Sequence, residues 1–104
     1  MVEFDWDDAN RTHIAAHKIS CEEAEQVIAN EPIDLFVDIE NDEERLAQVG
    51  ETNGGRILAV VSTWRGSKLR VVTAWDPPKA LKTTYLAEKG IMYGGRSKGP
   101  KFQG

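Results

Sequence analysis

Between residues 33 and 39 the side chains Ile33, Leu35, Val37 and Ile39 alternate with Asp34, Phe36 and Asp38. That period of two predicts a half-buried strand. The segment "ERLAQVGET" predicts a second, weaker one. "RILAVVSTW" (56–64) and "KLRVVTAW" (68–75) are apolar almost throughout and predict central strands covered on both faces. "NGG" at 53–55 and "RGS" at 65–67 are turns too short for anything but antiparallel neighbours, so 56–64 and 68–75 should pair directly.

Ahead of the strands, Ile14, Ala15 and His17 follow a run of Asp residues at helical spacing. Ser20 and Glu23 form a capping box for a second helix. Asp76-Pro77-Pro78 ends the sheet and opens a helix over about 77–89 that Gly90 should terminate. The expected fold is α+β: two N-terminal helices, a four-stranded, mainly antiparallel sheet and a C-terminal helix. Residues 1–90 form one domain on this reading, and 91–104 a flexible, basic, Gly-rich tail.

A chain of 104 residues can bury one core, so any site must lie on the face or edge of a single sheet. No apolar run approaches the roughly 20 residues that span a bilayer. The start "MVEFDWDDAN" has no basic and apolar leader pattern, and Cys21 is the sole cysteine, so a reducing cytoplasm is the expected compartment. The net charge of −4 conceals a split. Residues 1–52 hold 15 Asp and Glu against 3 Lys and Arg, and residues 53–104 hold 2 against 10. Such a split fits either contact with a polyanion or two faces that neutralise each other in the fold.

The basic half concentrates its chemistry at one strand–turn–helix corner, with Arg65, Arg70, Lys82 and Tyr85. Arg70 stands inside an apolar strand, so it must emerge on an open face or meet a carboxylate, for which Glu44 is the expected partner. Tyr85 either packs on the sheet or donates its hydroxyl to a ligand. His17 offers a group for proton transfer. His13, His17 and Cys21 recur every four residues, a spacing that would mimic a metal-binding ridge, but no fourth ligand is evident.

"FDWDDANRTHIAAHKISCEEAEQVI", "DEERLAQVG" and "STWRGSKLRVVTAW" resemble, in order and spacing, the corresponding segments of the BrnT family of type II toxins. The likeness runs from about residue 4 to residue 88. It implies a small RelE-like fold and metal-independent cleavage of RNA. It also implies neutralisation by a cognate antitoxin, usually one with a ribbon-helix-helix DNA-binding domain. His17 and Tyr85 match the family's histidine and tyrosine. The Gly that usually follows the histidine is Lys18 here, the Arg that usually follows "VVTA" is Trp75, and Leu81-Lys82 stands where relatives carry Glu-Arg.

For such an enzyme the 2′-hydroxyl loses a proton, the phosphate gathers negative charge and the 5′-oxygen gains a proton. The resemblance therefore assigns catalysis to His17, Arg65, Arg70, Lys82 and Tyr85, with no cofactor and no metal. The departures at Trp75 and Leu81 support an alternative, a weakened or inactive binding module of the same fold that holds an antitoxin-like protein or RNA. Apolar strands covered only by short helices further imply an exposed patch, hence a homodimer or a tight antitoxin complex.

Overall fold

The long apolar runs do form adjacent central strands. A computed structural model describes residues 2–93 of the chain. In chain order the elements are β1 (Glu3–Phe4), α1 (Asp8–Ala15), α2 (Cys21–Ala29), β2 (Ile33–Glu40), β3 (Glu43–Glu51), β4 (Ile57–Arg65), β5 (Lys68–Trp75) and α3 (Lys79–Tyr93). The sheet order is β1-β5-β4-β3-β2. β2 to β5 form an antiparallel meander, and β1 pairs parallel with β5.

The sheet thus has five strands and is mixed, where the sequence predicts four. The missing strand is two residues long, too short to show a period. It forms because Phe4 packs against the core and the Asp5 amide continues the ladder to the Leu69 carbonyl at 3.0 Å. α1 and α2 therefore lie between β1 and β2 instead of preceding the whole sheet.

Turn chemistry sets the register. Asn41 and Asp42 close the β2–β3 hairpin, both with positive φ (54° and 62°). Asn and Asp bear that conformation best among residues with a Cβ, and it is the one a two-residue type I′ turn needs. Gly66, with φ 63°, opens the equally short β4–β5 turn.

α1 begins with a capping box between Asp7 and Asn10, and α2 with the box of Ser20 and Glu23 that the sequence announces. α1 ends where the Lys18 amide bonds the Ala15 carbonyl (2.9 Å) and the Ile19 amide the Ile14 carbonyl (3.2 Å). These two bonds make a Schellman motif, and Lys18 occupies its left-handed position at φ 62°. The chain bears there the backbone conformation that a glycine adopts without strain.

Ile14, Ile19, Ala24 and Val27 of the helical layer meet Leu58, Val60, Val71 and Ala74 of the sheet in one buried cluster. On the opposite sheet face Ala47, Val49 and Ala59 are also buried. α3 crosses the end of the sheet carrying the β3–β4 turn, where buried Tyr85 reaches Glu51 (3.4 Å) and Lys89 donates to the Glu31 carbonyl. The helix starts two residues later than predicted and runs past Gly90 to Tyr93. Gly90 ends nothing because it keeps a right-handed φ. Segment 94–104, the greater part of the expected flexible tail, lies outside the described residues.

Two exchanges involving glycine should move stability in opposite directions. A Cβ on Gly50 would stand 3.0 Å from both Pro32 Cβ and Val27 Cγ1, and 3.2 Å from the Val27 carbonyl oxygen. Gly50→Ala should cost about 1–3 kcal/mol through overpacking. Lys18→Gly should gain about 0.5–1 kcal/mol, the relief of left-handed strain less the added freedom of the unfolded chain. Urea midpoints at unchanged m-value report both shifts.

Candidate functional site

A β-bulge creates the site. Val61 pairs with Thr73 and Ser62 with Val71, which leaves Val72 as an extra residue in β5. Without the bulge, Arg70 and Thr73, three residues apart, would point to opposite faces. With it, both point to the face opposite the main core cluster. Arg65 on β4 and Arg45 on β3 share that face by alternation. α1 flanks β5 and brings Asn10 and His13 alongside. Together these side chains line a groove of about 500 Å³.

Hydrogen bonds fix the walls. Asn10, buried, donates through Nδ2 to the carbonyls of Asp5 and Val71, each at 3.0 Å, and ties α1 to the strand next to the bulge. His13 Nε2 lies 2.9 Å from Thr73 Oγ1. The bond orients an imidazole and a hydroxyl at the groove, with the proton on either partner.

Every guanidinium in the groove meets a carboxylate. Arg70 Nη1 and Nη2 contact Asp7 Oδ2 and Oδ1 at 3.0 and 3.2 Å, and Asp5 lies 3.7 Å away. Arg65 Nε donates to Glu43 at 2.9 Å. Arg45 reaches Glu43 at 3.1 and 3.2 Å and also pairs with Glu40. The Arg70 bonds hold the Asp7 carboxyl below its ordinary range, assisted by the Asn10 amide. Arg65 first, then Arg45, do the same for Glu43. Arg70 is raised chiefly by its bond to Asp7, against the cost of burial. The Nη groups of Arg65 make no hydrogen bond among the described residues, and its side chain is half exposed.

The groove brings together two of the five residues singled out in the sequence, Arg65 and Arg70. His17 follows the end of α1 outside the groove, exposed, its ring 5.8 Å from that of His13. Lys82 on α3 pairs with Asp76 at the foot of β5. Tyr85 lines a separate recess with Glu51 and Lys89. The partner of Arg70 is Asp7 and not Glu44, because β5 runs beside the N-terminus of α1 while Glu44 points to the other face. The turn at Ala16–Lys18 also interrupts the His13–His17–Cys21 spacing, so Cys21 begins α2 instead of continuing a ridge.

Sequence reading missed Arg45 and gave His13 no role at this site. His13 was open to inference, since residues 9 and 13 fall on one helical stripe away from buried Ile14. Arg45 was hidden among acidic neighbours.

Asp7 and Glu43 both have lowered pKa values in the fold, so each stabilises the folded groove above its unfolded pKa, about 3.9 and 4.3 respectively. That contribution disappears as pH falls through the lower folded values. The groove should hold its geometry at pH 5 and loosen only below about pH 4. NMR shifts of the Thr73 amide and the Arg70 guanidinium, followed by acid titration, check the midpoint.

The sequence pattern of one family matches the chain over residues 6–80, that of the ribonuclease toxin BrnT of type II toxin-antitoxin systems. No curated protein matches the chain significantly. The matched span contains His13, His17, Arg45, Arg65 and Arg70 and stops before Lys82 and Tyr85. Running from the residues ahead of α1, through all four long strands, to the first turn of α3, it covers most of the chain, which belongs to the BrnT family of ribonuclease toxins.

Proposed function

We propose that this protein is an active endoribonuclease toxin that cleaves RNA without a metal ion, with the groove between α1 and the β3–β5 face as its reaction site. The observation that carries this reading is the convergence of Arg65, Arg70 and Arg45 with an imidazole and a hydroxyl on one groove. Guanidiniums bind phosphate oxygens in a planar, two-pronged manner and stabilise the charge of a pentavalent phosphorane. Arg65 and Arg70 take that role. His13, with His17 beside it, moves the protons: one leaves the 2′-hydroxyl and one reaches the departing 5′-oxygen. Asp7 and Glu43 keep the guanidiniums aimed, and an incoming phosphate shares or displaces them. The overall fold is RelE-like on this reading. The protein works in the cytoplasm, where an antitoxin with a ribbon-helix-helix DNA-binding domain restrains it.

One observation favours a second reading. Each arginine already has a carboxylate, and Trp75, on the same sheet face as Arg70 and Thr73, stands where the resemblance implies an Arg. Those features fit a binding module of the same fold that has lost catalysis and keeps its protein partner.

Cleavage of RNA by the purified protein in EDTA separates the two. Arg70→Ala, Arg65→Ala and His13→Ala should each lower kcat/KM at least tenfold, about 1.4 kcal/mol in barrier, and His17→Ala should lower it less. Lys82→Ala and Tyr85→Phe should change it by less than about threefold, below 1 kcal/mol. A tenfold loss from either would move the reaction site to α3. A wild-type protein that binds its partner but neither cleaves nor binds RNA establishes the binding module.

Asp7→Asn gives an independent check on the groove. Asn caps a helix as well as Asp does, so α1 should persist. Arg70 loses its counter-charge and becomes available to phosphate. RNA binding should tighten, and the slope of log K against log salt should steepen by about one unit. Unchanged binding would place RNA elsewhere on the surface.

A further inference from the structure

The helix-bearing face of the sheet is only half covered. α1 and α2 seal β5, β4 and the end of β3 at Gly50, but over the other ends of β2, β3 and β4 the same face lies open. There Val37, Ile39 and Trp64, which alternate onto this face, are 57%, 69% and 59% exposed. Val37 and Trp64 border a hollow of about 430 Å³ whose wall on the α2 side is Ile28 and whose floor includes Leu46, and Ile39 stands outside it, two residues along β2 from Val37. Two large apolar side chains in the hollow and a third beside it on the same face are exposed in the way that marks a protein contact.

The rim is acidic. Asp34 and Glu44 edge the hollow, and Asp42 stands near Trp64 in the adjoining recess. Among the described residues no Lys or Arg lines either one. This surface repels RNA and a second acidic copy of itself alike, and attracts a basic segment.

Geometry decides the shape of that segment. The uncovered strip runs from β2 to β4, two inter-strand spacings of about 4.8 Å or roughly 10 Å, which is the diameter of one α-helix. The free edge of β2 suits an added strand less well. Asp38 Oδ1 already accepts the Ile39 amide at 2.9 Å, and a bulge at Leu35 interrupts the strand. The chain's own residues 94–104 contain four glycines and Pro100, the residue types of lowest helix propensity.

We propose that the open half of this face receives one amphipathic helix of a partner protein, with an apolar stripe on Val37, Ile39 and Trp64 and Lys or Arg flanks against Asp34, Asp42 and Glu44. It lies on the opposite face of the sheet from the arginine groove. The surface chemistry stands alone. Identifying the partner as the antitoxin rests on the reading proposed above.

The test uses two probes on the full chain. The first is a labelled synthetic helix of Leu, Ala and Lys, with a second version carrying Glu for every Lys. The second is the product of the adjacent gene. Ile39→Lys and Trp64→Ser alter exposed positions and should leave RNA cleavage and thermal stability unchanged. Wild type should bind the Lys helix at least tenfold more tightly than the Glu version, and both variants should lose at least tenfold in affinity for it. Equal binding by wild type and variants overturns the proposal. So does a shift in sedimentation from dimer to monomer in the variants, which would make the occupant a second copy. Tighter binding after deletion of 94–104 would assign the surface to the chain's own tail and overturn it likewise. If the adjacent gene's product binds wild type and variants equally, the antitoxin reading stands and this surface falls. If that product fails to bind wild type while the Lys helix binds as expected, the surface stands and the antitoxin reading falls.

Discussion

The carboxylate of Asp7 performs two tasks at once, and the groove depends on both. Its Oδ1 accepts the Asn10 amide at 3.1 Å and starts α1, and its two oxygens clasp the two terminal nitrogens of Arg70. α1 cannot then shift along β5 without breaking either its own cap or a bidentate ion pair. Asn10 completes the constraint, its amide on the carbonyls of Asp5 and Val71. The result fixes β1, α1 and the bulged part of β5 as one unit, with His13 carried one turn further along α1 to Thr73. Arg70 is only 14% exposed in its side chain, so its charge needs an anion beside it, and Asp7 supplies the bidentate one.

The charge split between the halves of the chain acquires a structural meaning from these pairs. Arg56 meets Glu23, Arg65 meets Glu43, Lys68 meets Glu3, and Arg70 meets Asp5 and Asp7. Each joins a cation of the second half to an anion of the first. The fold therefore neutralises across its halves, and the proposed RNA site needs a paired guanidinium to exchange one anionic partner for another. Exposed pairs of this kind contribute little to stability, on the order of 0–1 kcal/mol, so their main effect is orientation.

Much of the fold was legible because its signals are local. The Ser20–Glu23 box, the glycine turns and the apolar runs at 56–64 and 68–75 each act within a few residues, and each appears where the sequence places it. The site was legible only in part. Arg65 and Arg70 stood out as cations beside apolar strands. The partnership of Arg70 with Asp7 spans 63 positions, and no periodicity encodes it. The bulge at Val72 was equally hidden, since "VVTA" reads as plain alternation and the extra residue shows only in the pairing with β4. A one-residue change of register carried Thr73 to the groove side, and with it the reason for His13 to matter.

Alternation along β3 keeps the two surfaces apart. Glu43 points to the groove and holds Arg65 and Arg45, while the next residue, Glu44, points to the helix-bearing face and edges the open apolar hollow. One acidic hairpin thus serves two opposite electrostatic ends. On one face its carboxylates are spent aligning guanidiniums, so that each charge there has an opposite partner. On the other face no arginine answers them, and the field stays negative over exposed Trp64 and Ile39. On the readings proposed above, RNA and a basic protein segment would bind opposite faces of a single sheet. In so small a domain that separation would let both be held at once without contact between them.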